Sequence, residues 1–448
     1  MVLEEDPETE NLLSQVTPIA TRPSYPPGTL VDYTAQSGDS LPALAAHFNT
    51  TVEEIREANP IIPEDATTMP PGLPMQIPIY YEAIWSSSFQ IIPDIAFVYG
   101  PRDVGFDVVS FVNEQPGWLK NAKDTIGSLT RPASEVIVYI AEHFSVSPKL
   151  LLAILEYQTG ALSNPEFPEN LETFLLGYQN RSYAGLSQQL VWAANRLNNG
   201  YYGWREGSLK AYSHKDGRLE RPDPWQNAAS AAMQYYFSQV LDRETYTHAI
   251  SDIGLLATYT ELFGNPWEGD LTLIPGSLRQ PEMILPFLPG QTWAYTGGPH
   301  TAWGQGAPFA AIDFAPGSNV GGCSFSEDPA LAIADGVIVR TDTAIAMLDL
   351  DGDGDERTGW VIFYLHLRNT DLPAVGMQMK QGDVIGYPSC DGGRSTGTHI
   401  HIARKYNGEW VLAGGAVPFN LEGWVASNGA TDYLDRKSTR LNSSHRIR

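Results

Sequence analysis

Near the C-terminal end, Ser395-Thr396-Gly397-Thr398-His399-Ile400-His401-Ile402-Ala403 reads as a β-strand carrying histidines at i and i+2. Strand side chains alternate between faces, so His399 and His401 share one face while Ile400 and Ile402 enter a core on the other. Two imidazoles fixed side by side on a rigid strand suit a metal ion. A pair of histidines can also be an accident of a polar strand face. Here the pair has company: His300, Asp313 and His366 lie upstream, each in a context that fits the same site.

Asp313 sits in Ala311-Ile312-Asp313-Phe314-Ala315, an acidic residue between apolar ones. A buried aspartate needs a partner, and a cation supplies one. His300 follows the flexible approach Gly297-Gly298-Pro299. Ile362, Tyr364 and His366 alternate with Phe363, Leu365 and Leu367, which predicts His366 on the polar face of a strand. Short alternating segments run from about 291 to 428, and Asp335-Gly336 and Asn407-Gly408 are hairpin signals, so this region is expected to be all-β. Cys323 and Cys390 both fall within it, either bonded or reduced and buried; a bridge would contribute about 4 kcal/mol by constraining the unfolded chain. Asp349, Asp351, Asp353 and Asp355 alternate in Asp349-Leu350-Asp351-Gly352-Asp353-Gly354-Asp355-Glu356, which resembles a calcium loop. The position of an EF-hand's bidentate glutamate is Trp360, so an acidic hairpin without an ion is the competing reading.

The chain has 448 residues, enough for two to four domains. At 42% hydrophobic and 11% aromatic it can bury real cores. A net charge of −24 argues against nucleic acid or an anionic membrane as the main partner. No apolar run is long enough to span a bilayer. The start is acidic and lacks a signal pattern, so either export uses a segment missing from this chain or the protein is not exported. Residues 1–28 are polar and Pro-rich and are expected to be a disordered leader. Residues 436–448 are basic, resemble translated adapter sequence and are set aside as a non-native tail.

Between these ends two further regions stand out. Residues 31–80 predict strand–helix–helix–strand: Val31 to Ala35, an amphipathic helix with Leu41, Leu44, Ala45 and Phe48, a second helix capped by Thr50 and Glu53, and a strand from Met75 to Ile79. Residues 85–265 predict helices over 105–122, 132–144, 147–160, 181–199, 226–242 and 245–263. Tyr201, Tyr202 and Trp204 could stack on sugars or be core aromatics at a helix end. Residues 266–290, rich in Pro and Gly, read as a linker.

Three resemblances follow from these motifs. Tyr33-Thr34, Gly38-Asp39-Ser40-Leu41, Glu54-Ile55, Ala58-Asn59-Pro60, Pro71-Gly72 and Ile77-Pro78 resemble the LysM domain across the whole unit. That implies binding of N-acetylglucosamine glycans such as peptidoglycan or chitin, through the loop Gly38, Asp39, Ser40 and the loop after Asn59. Val146 to Gly160 weakly resembles the first catalytic helix of lysozyme-like transglycosylases. Gln158 stands where that family has its acid, and an amide cannot protonate a glycosidic oxygen, so a non-catalytic domain is implied. The set His300, Asp313, His366, His399 and His401 resembles lysostaphin-type (LytM-type) zinc peptidases, with the His300–Asp313 spacing of the beta-lytic branch. That resemblance implies Zn²⁺ on His300, Asp313 and His401, with His366 and His399 as catalytic groups.

The expectation is a multidomain chain: a small α+β LysM domain, a mostly α-helical middle domain and an all-β C-terminal peptidase domain. It would act on peptidoglycan peptides, outside the cell or in the cell envelope. A non-enzymatic wall-binding protein or hydrolase activator is the alternative, disfavoured by the intact ligand set. A glycan-cleaving enzyme is disfavoured by Gln158.

Overall fold

The computed structural model describes residue 22, residues 24–83, 85–168, 173–317 and 321–429, and Tyr433. Most of the expected leader and all of the expected tail lie outside the described residues. The chain divides into two compact units, one of residues 1–99 and 105–275, the other of residues 100–104 and 276–448.

The first unit begins with β1 (Thr29–Thr34), α1 (Leu41–His47), α2 (Val52–Ala58) and β2 (Pro74–Ile79), with β1 and β2 antiparallel. Ser40 caps α1 through the Ala43 amide. The capping box of α2 is Thr51 with Glu54, one residue beyond the expected Thr50 and Glu53. Val31, Tyr33, Leu41, Leu44, Phe48, Ile55, Met75 and Ile77 close the core of this small layer.

The helical region of the same unit holds α3 (Val108–Glu114), the hairpin β3 (Lys123–Ile126) and β4 (Leu129–Pro132), α4 (Ala133–Phe144), α5 (Pro148–Thr159) and α6 (Leu186–Arg205). The pair β5 (Tyr212–Ser213) and β6 (Leu219–Glu220) follows, then α7 (Ala228–Val240), α8 (Arg243–Ala249) and α9 (Leu255–Phe263). Two expected helices are shorter. The one at 105–122 is only α3, because the chain extends at Gln115 and re-forms a 3₁₀ turn at Trp118–Asn121. The one at 245–263 is broken at Gly254, where a Cβ would lie 2.2 Å from the His248 carbonyl oxygen. Tyr201, Tyr202 and Trp204 are buried, so they are core aromatics and not an open sugar platform. His47 of α1 stacks on Trp204 with ring centroids 3.5 Å apart, and Trp225 packs edge-on against Phe48 at 4.9 Å. These contacts weld the small strand–helix layer to the helical region.

The stretch 266–290 holds no helix or strand, yet it does not hang free. Leu273 and Ile274 are buried in the first unit, while Met283, Leu285 and Phe287 belong to the core of the second.

The second unit is built on an eight-stranded sheet. Its strands are β7 (Ala294–His300), β8 (Ala311–Ala315), β10 (Gly336–Asp342), β11 (Ile345–Asp349), β12 (Trp360–Leu365), β13 (Gln378–Met379), β15 (Ile400–Tyr406) and β16 (Glu409–Trp410). Their order is β13-β10-β11-β12-β15-β8-β7, with β16 paired to β15. β9 (Ala330–Leu331) and β14 (Val384–Gly386) form a separate pair. Asn407 and Gly408, both with positive φ, form the β15–β16 turn. Asp335-Gly336 is not a hairpin turn: Gly336 opens β10, close to the Asp349 carbonyl. The β10–β11 hairpin turns instead at Thr343-Ala344, with Ala344 at φ 60°.

Candidate metal centre

Three strands converge on one carboxylate. Asp313 of β8 lies directly opposite His401 of β15 on one side and opposite Gly297 of β7 on the other. A Cβ at Gly297 would lie 2.6 Å from Asp313 Oδ2, so only glycine leaves room for that carboxylate. Irregular register along β7 then brings His300 back to the site. His300 Nε2 and His401 Nδ1 each lie 3.2 Å from Asp313 Oδ1. They lie 3.0 Å from each other. All three residues are buried.

The protons explain why these atoms can sit so close. His300 Nδ1–H donates to the Gly298 carbonyl at 2.8 Å, and His401 Nε2–H donates to the Ala302 carbonyl at 3.1 Å. In the neutral rings this leaves lone pairs on His300 Nε2 and His401 Nδ1, both facing Asp313. Burial pushes the pKa of His401 down, which favours the neutral ring despite the neighbouring Asp313 carboxylate. Burial works against ionisation of Asp313, and its carboxyl is held below the usual range only while the facing His300 and His401 rings carry protons toward it; with those rings neutral, a cation must supply the positive charge. Asp313 Oδ1 is buried and accepts no hydrogen bond. Three facing acceptors without a hydrogen between them repel unless a cation lies among them. Tetrahedral zinc at about 2.0–2.1 Å from N and O ligands separates those ligands by about 3.3 Å. The donor set and its spacing therefore fit zinc.

His366 and His399 lie beside this trio. The strand reading of His366 needs correction. β12 ends at Leu365 and is buried on both faces, and His366 follows it with φ 64°. That turn is held because the His366 carbonyl accepts from Ser389 N at 2.7 Å and from Ser389 Oγ at 3.0 Å. Nδ1–H of His366 donates to the Asp391 carbonyl at 2.7 Å, and Nδ1–H of His399 donates to the Gly397 carbonyl at 2.7 Å. Each keeps a lone pair on Nε2. The two rings are 4.5 Å apart, and His399 Nε2 is 3.7 Å from Asp313 Oδ2. Burial, with the Asp391 hydrogen bond opposing it, pushes the His366 pKa down to about 4, so the ring is neutral near pH 7.

Cys323 and Cys390 are bonded, with Cα atoms 5.7 Å apart. The bond joins two loops of the site: Cys390 precedes Asp391, and the Cys323 loop receives Thr398 N and Thr398 Oγ1 on the Gly322 and Ser324 carbonyls. Sequence reasoning missed Tyr433, whose ring stacks on His300 at 4.2 Å while its carbonyl accepts from Gly298 N. Nor did it find the four carbonyls that fix the histidine tautomers, because a backbone carbonyl has no residue signature.

The other candidate residues are placed as follows. Asp349, Asp351 and Asp353 bring carboxylate oxygens within 4.8 Å of one another. Each also accepts a backbone amide of its own loop. Asp355 turns away to Arg357 at 2.6 Å. In the small N-terminal layer Asp39 accepts from Tyr33 Oη and Gln36 N, both at 2.7 Å, and Ser40 caps α1. Asn59 ties the end of α2 to Gln76 of β2. Gly38 has φ +81°, and the Arg205 guanidinium occupies the space a Cβ would take. Gln158 Oε1 accepts from Tyr236 Oη at 2.7 Å, and Glu156 accepts from the Leu162 and Ser163 amides.

The LysM domain family matches residues 33–78. The family described as LasA, N-terminal domain, matches residues 90–277, the region weighed above as lysozyme-like. Protease LasA of Pseudomonas aeruginosa (strain UCBPP-PA14) is 26% identical over 348 residues, covering 72% of this chain and 75% of that protein. Beta-lytic metalloendopeptidase of Achromobacter lyticus is 29% identical over 155 residues, covering 33% of this chain and 38% of that protein. Among solved structures, the M23 metalloprotease pseudoalterin from the deep sea aligns with 24% identity and a TM-score of 0.26, over 35% of this chain and 99% of that one. The chain is thus a homologue of Protease LasA and of beta-lytic metalloendopeptidase, carrying a LysM domain at its N-terminal side.

Proposed function

We propose that this chain is a zinc-dependent endopeptidase that hydrolyses peptide bonds in peptidoglycan stems or cross-bridges and is held at the wall by its LysM domain. The observation that carries the reading is the buried trio of acceptors on His300, Asp313 and His401, with no hydrogen between them. Two histidines and one carboxylate leave a fourth position for the reaction. Zinc held there supplies a Lewis acid that polarises a peptide carbonyl and activates water.

The chain's own residues supply the rest. His300, Asp313 and His401 bind the ion, each oriented by its strand or by a backbone carbonyl. His366 and His399 present lone pairs on Nε2. One accepts a proton as the nucleophile forms and, now an imidazolium, donates that same proton to the developing oxyanion or the leaving amine; the other positions the nucleophile through its Nε2 lone pair. The hydrogen bonds to Asp391 and Gly397 keep both rings in the required tautomer. The site is intact, which favours an enzyme over a non-enzymatic wall-binding protein or hydrolase activator.

The LysM loop at Gly38, Asp39 and Ser40 and the loop after Asn59 are the proposed glycan contacts. An extracellular or cell-envelope location follows from the proposed substrate. Among the described residues no helix is long and apolar enough to cross a membrane. Calcium on Asp349, Asp351 and Asp353 is a further proposal, tested by a rise in thermal midpoint when calcium is returned to chelated protein.

The central test is digestion of purified peptidoglycan by the full chain with and without zinc. New peptide amino termini that require zinc are expected. Release of sugar ends alone, or no release from zinc-loaded protein, would overturn the reading.

A further inference from the structure

A piece of this chain, residues 273–275, bridges the two LysM loops. Ser37, in the first loop, accepts on its hydroxyl from Leu273 N at 3.0 Å and from Ile274 N at 2.7 Å, and donates to the Ile274 carbonyl at 3.1 Å. That uses the full capacity of a hydroxyl, one donor and two lone pairs. Thr68, in the second loop, donates to the Pro275 carbonyl at 2.7 Å. The two loops are tied by Met69 N donating to the Asp39 carbonyl at 2.8 Å, so Ser37 and Thr68 belong to one continuous rim. Arg205, itself 3.0 Å from the Asp94 carboxylate, donates to the Ser37 carbonyl and covers Gly38. Leu273 and Ile274 are buried as the segment crosses.

The chemistry presented to the rim is amide chemistry. Ser37 and Thr68 bond to peptide N–H and C=O groups of the segment. The acetamido group of an N-acetylated sugar offers the same pair, one N–H and one C=O. We propose that Leu273-Ile274-Pro275 is an internal occupant of the LysM groove, and that N-acetylated glycan must displace it to bind there. The inference rests on the glycan-binding reading of the two loops and adds its regulation. A buried segment with four hydrogen bonds is a competitor at very high local concentration, so glycan binding by the intact chain is weak until the segment leaves. The anchor is therefore gated by the chain it anchors.

The test compares the full chain with a full-chain Leu273→Asp/Ile274→Asp variant, which alters the segment and leaves the rim intact. Chitohexaose in solution and insoluble peptidoglycan are the probes. The variant is expected to bind at least tenfold more tightly, and a synthetic peptide of residues 270–278 is expected to return it to the wild-type level. Equal, tight binding by both proteins overturns the gating while leaving the glycan reading in place. No binding by either overturns the glycan reading, and the gating with it. Because the variant carries two buried charges and could fail to fold, hydrogen exchange on the unaltered chain gives a second test. The amides of Leu273 and Ile274 should be protected in the free chain and lose protection at saturating chitohexaose. Continued protection in the bound chain overturns the proposal.

Discussion

Asp313 and His401 face each other across the β8–β15 pair, with Asp313 Oδ1 3.2 Å from His401 Nδ1. The pairing register places these two residues side by side, and the Ala302 carbonyl holds the His401 ring toward Asp313. His366 stands outside that frame, on the turn that follows β12.

This difference predicts a separation of binding from chemistry. His401→Ala removes one of three protein ligands and should lose most zinc. His366→Ala should keep zinc and lose at least about a hundred-fold in peptide-bond cleavage, the usual contribution of a positioned acid–base group. Metal analysis of the purified variants, beside release of new amino termini from wall material, checks both. Equal zinc loss in the two variants would refute the assignment.

Gly297→Ala should weaken the metal without touching a ligand. Its Cβ would stand 2.6 Å from Asp313 Oδ2 and 3.1 Å from Asp313 Cβ, so the carboxylate would have to shift from its place. At least a tenfold loss of zinc affinity, read by competition with a chelator, is expected. Unchanged affinity would mean that β7 yields more easily than its pairing implies.

Cys323→Ser should cost about 4 kcal/mol, since the bond spans 67 residues of chain. It should also lower activity more than zinc content, because Cys390 adjoins Asp391, the residue that holds His366 Nδ1–H. Denaturant unfolding gives the first quantity, and a joint zinc and cleavage assay gives the second.

Acid should loosen the first unit through His47. Burial lowers its pKa from 6.5 to about 3, with the charges of Arg205 and Lys210 adding to the shift and the Trp204 carbonyl opposing it. Below pH 6.5 the unfolded chain takes up a proton that the folded chain refuses, so stability falls as pH falls. The loss is about 1.4 kcal/mol per pH unit until the folded pKa is reached. Unfolding free energies from urea titration at pH 7 and pH 4.5 should differ less in His47→Gln than in the unaltered chain, by about 2.5 kcal/mol.

Gln158→Glu should create no glycosidase. Gln158 Oε1 is taken up by Tyr236 Oη, whose own pKa burial raises, and the carboxylate would inherit that bond instead of a sugar oxygen. Measurement of new reducing ends from wall material should stay at background.

The centre was legible because its chemistry needs rare residue types at fixed strand spacing. His399 and His401 announced themselves, and Asp313 stood out as an acid among apolar neighbours. His366 was found for the wrong local reason: alternation placed it on a strand, whereas two bonds from Ser389 hold it in a left-handed turn after the strand's end. Thr343-Ala344 was missed as a turn because alanine rarely takes positive φ, and the sheet on either side imposes it. Tyr201 and Trp204 resisted reading for another reason. Aromatics at a helix end look alike whether solvent or a second layer covers them; here His47 of α1 covers Trp204 and Phe97 stacks on Tyr201. The occupation of the LysM rim by residues 273–275 joins parts of the chain more than two hundred positions apart, a relation that no local pattern encodes.

All four histidines of the centre hand their second ring proton to a main-chain oxygen: Gly298, Ala302, Asp391 and Gly397. His399 Nδ1 also has the Ser395 hydroxyl at 3.4 Å. Replacing the residues that own those oxygens changes what projects outward and leaves the acceptor in place, provided the local path survives. The centre is thereby insulated from drift in its surroundings: substitutions beside it leave the tautomers of its four rings fixed.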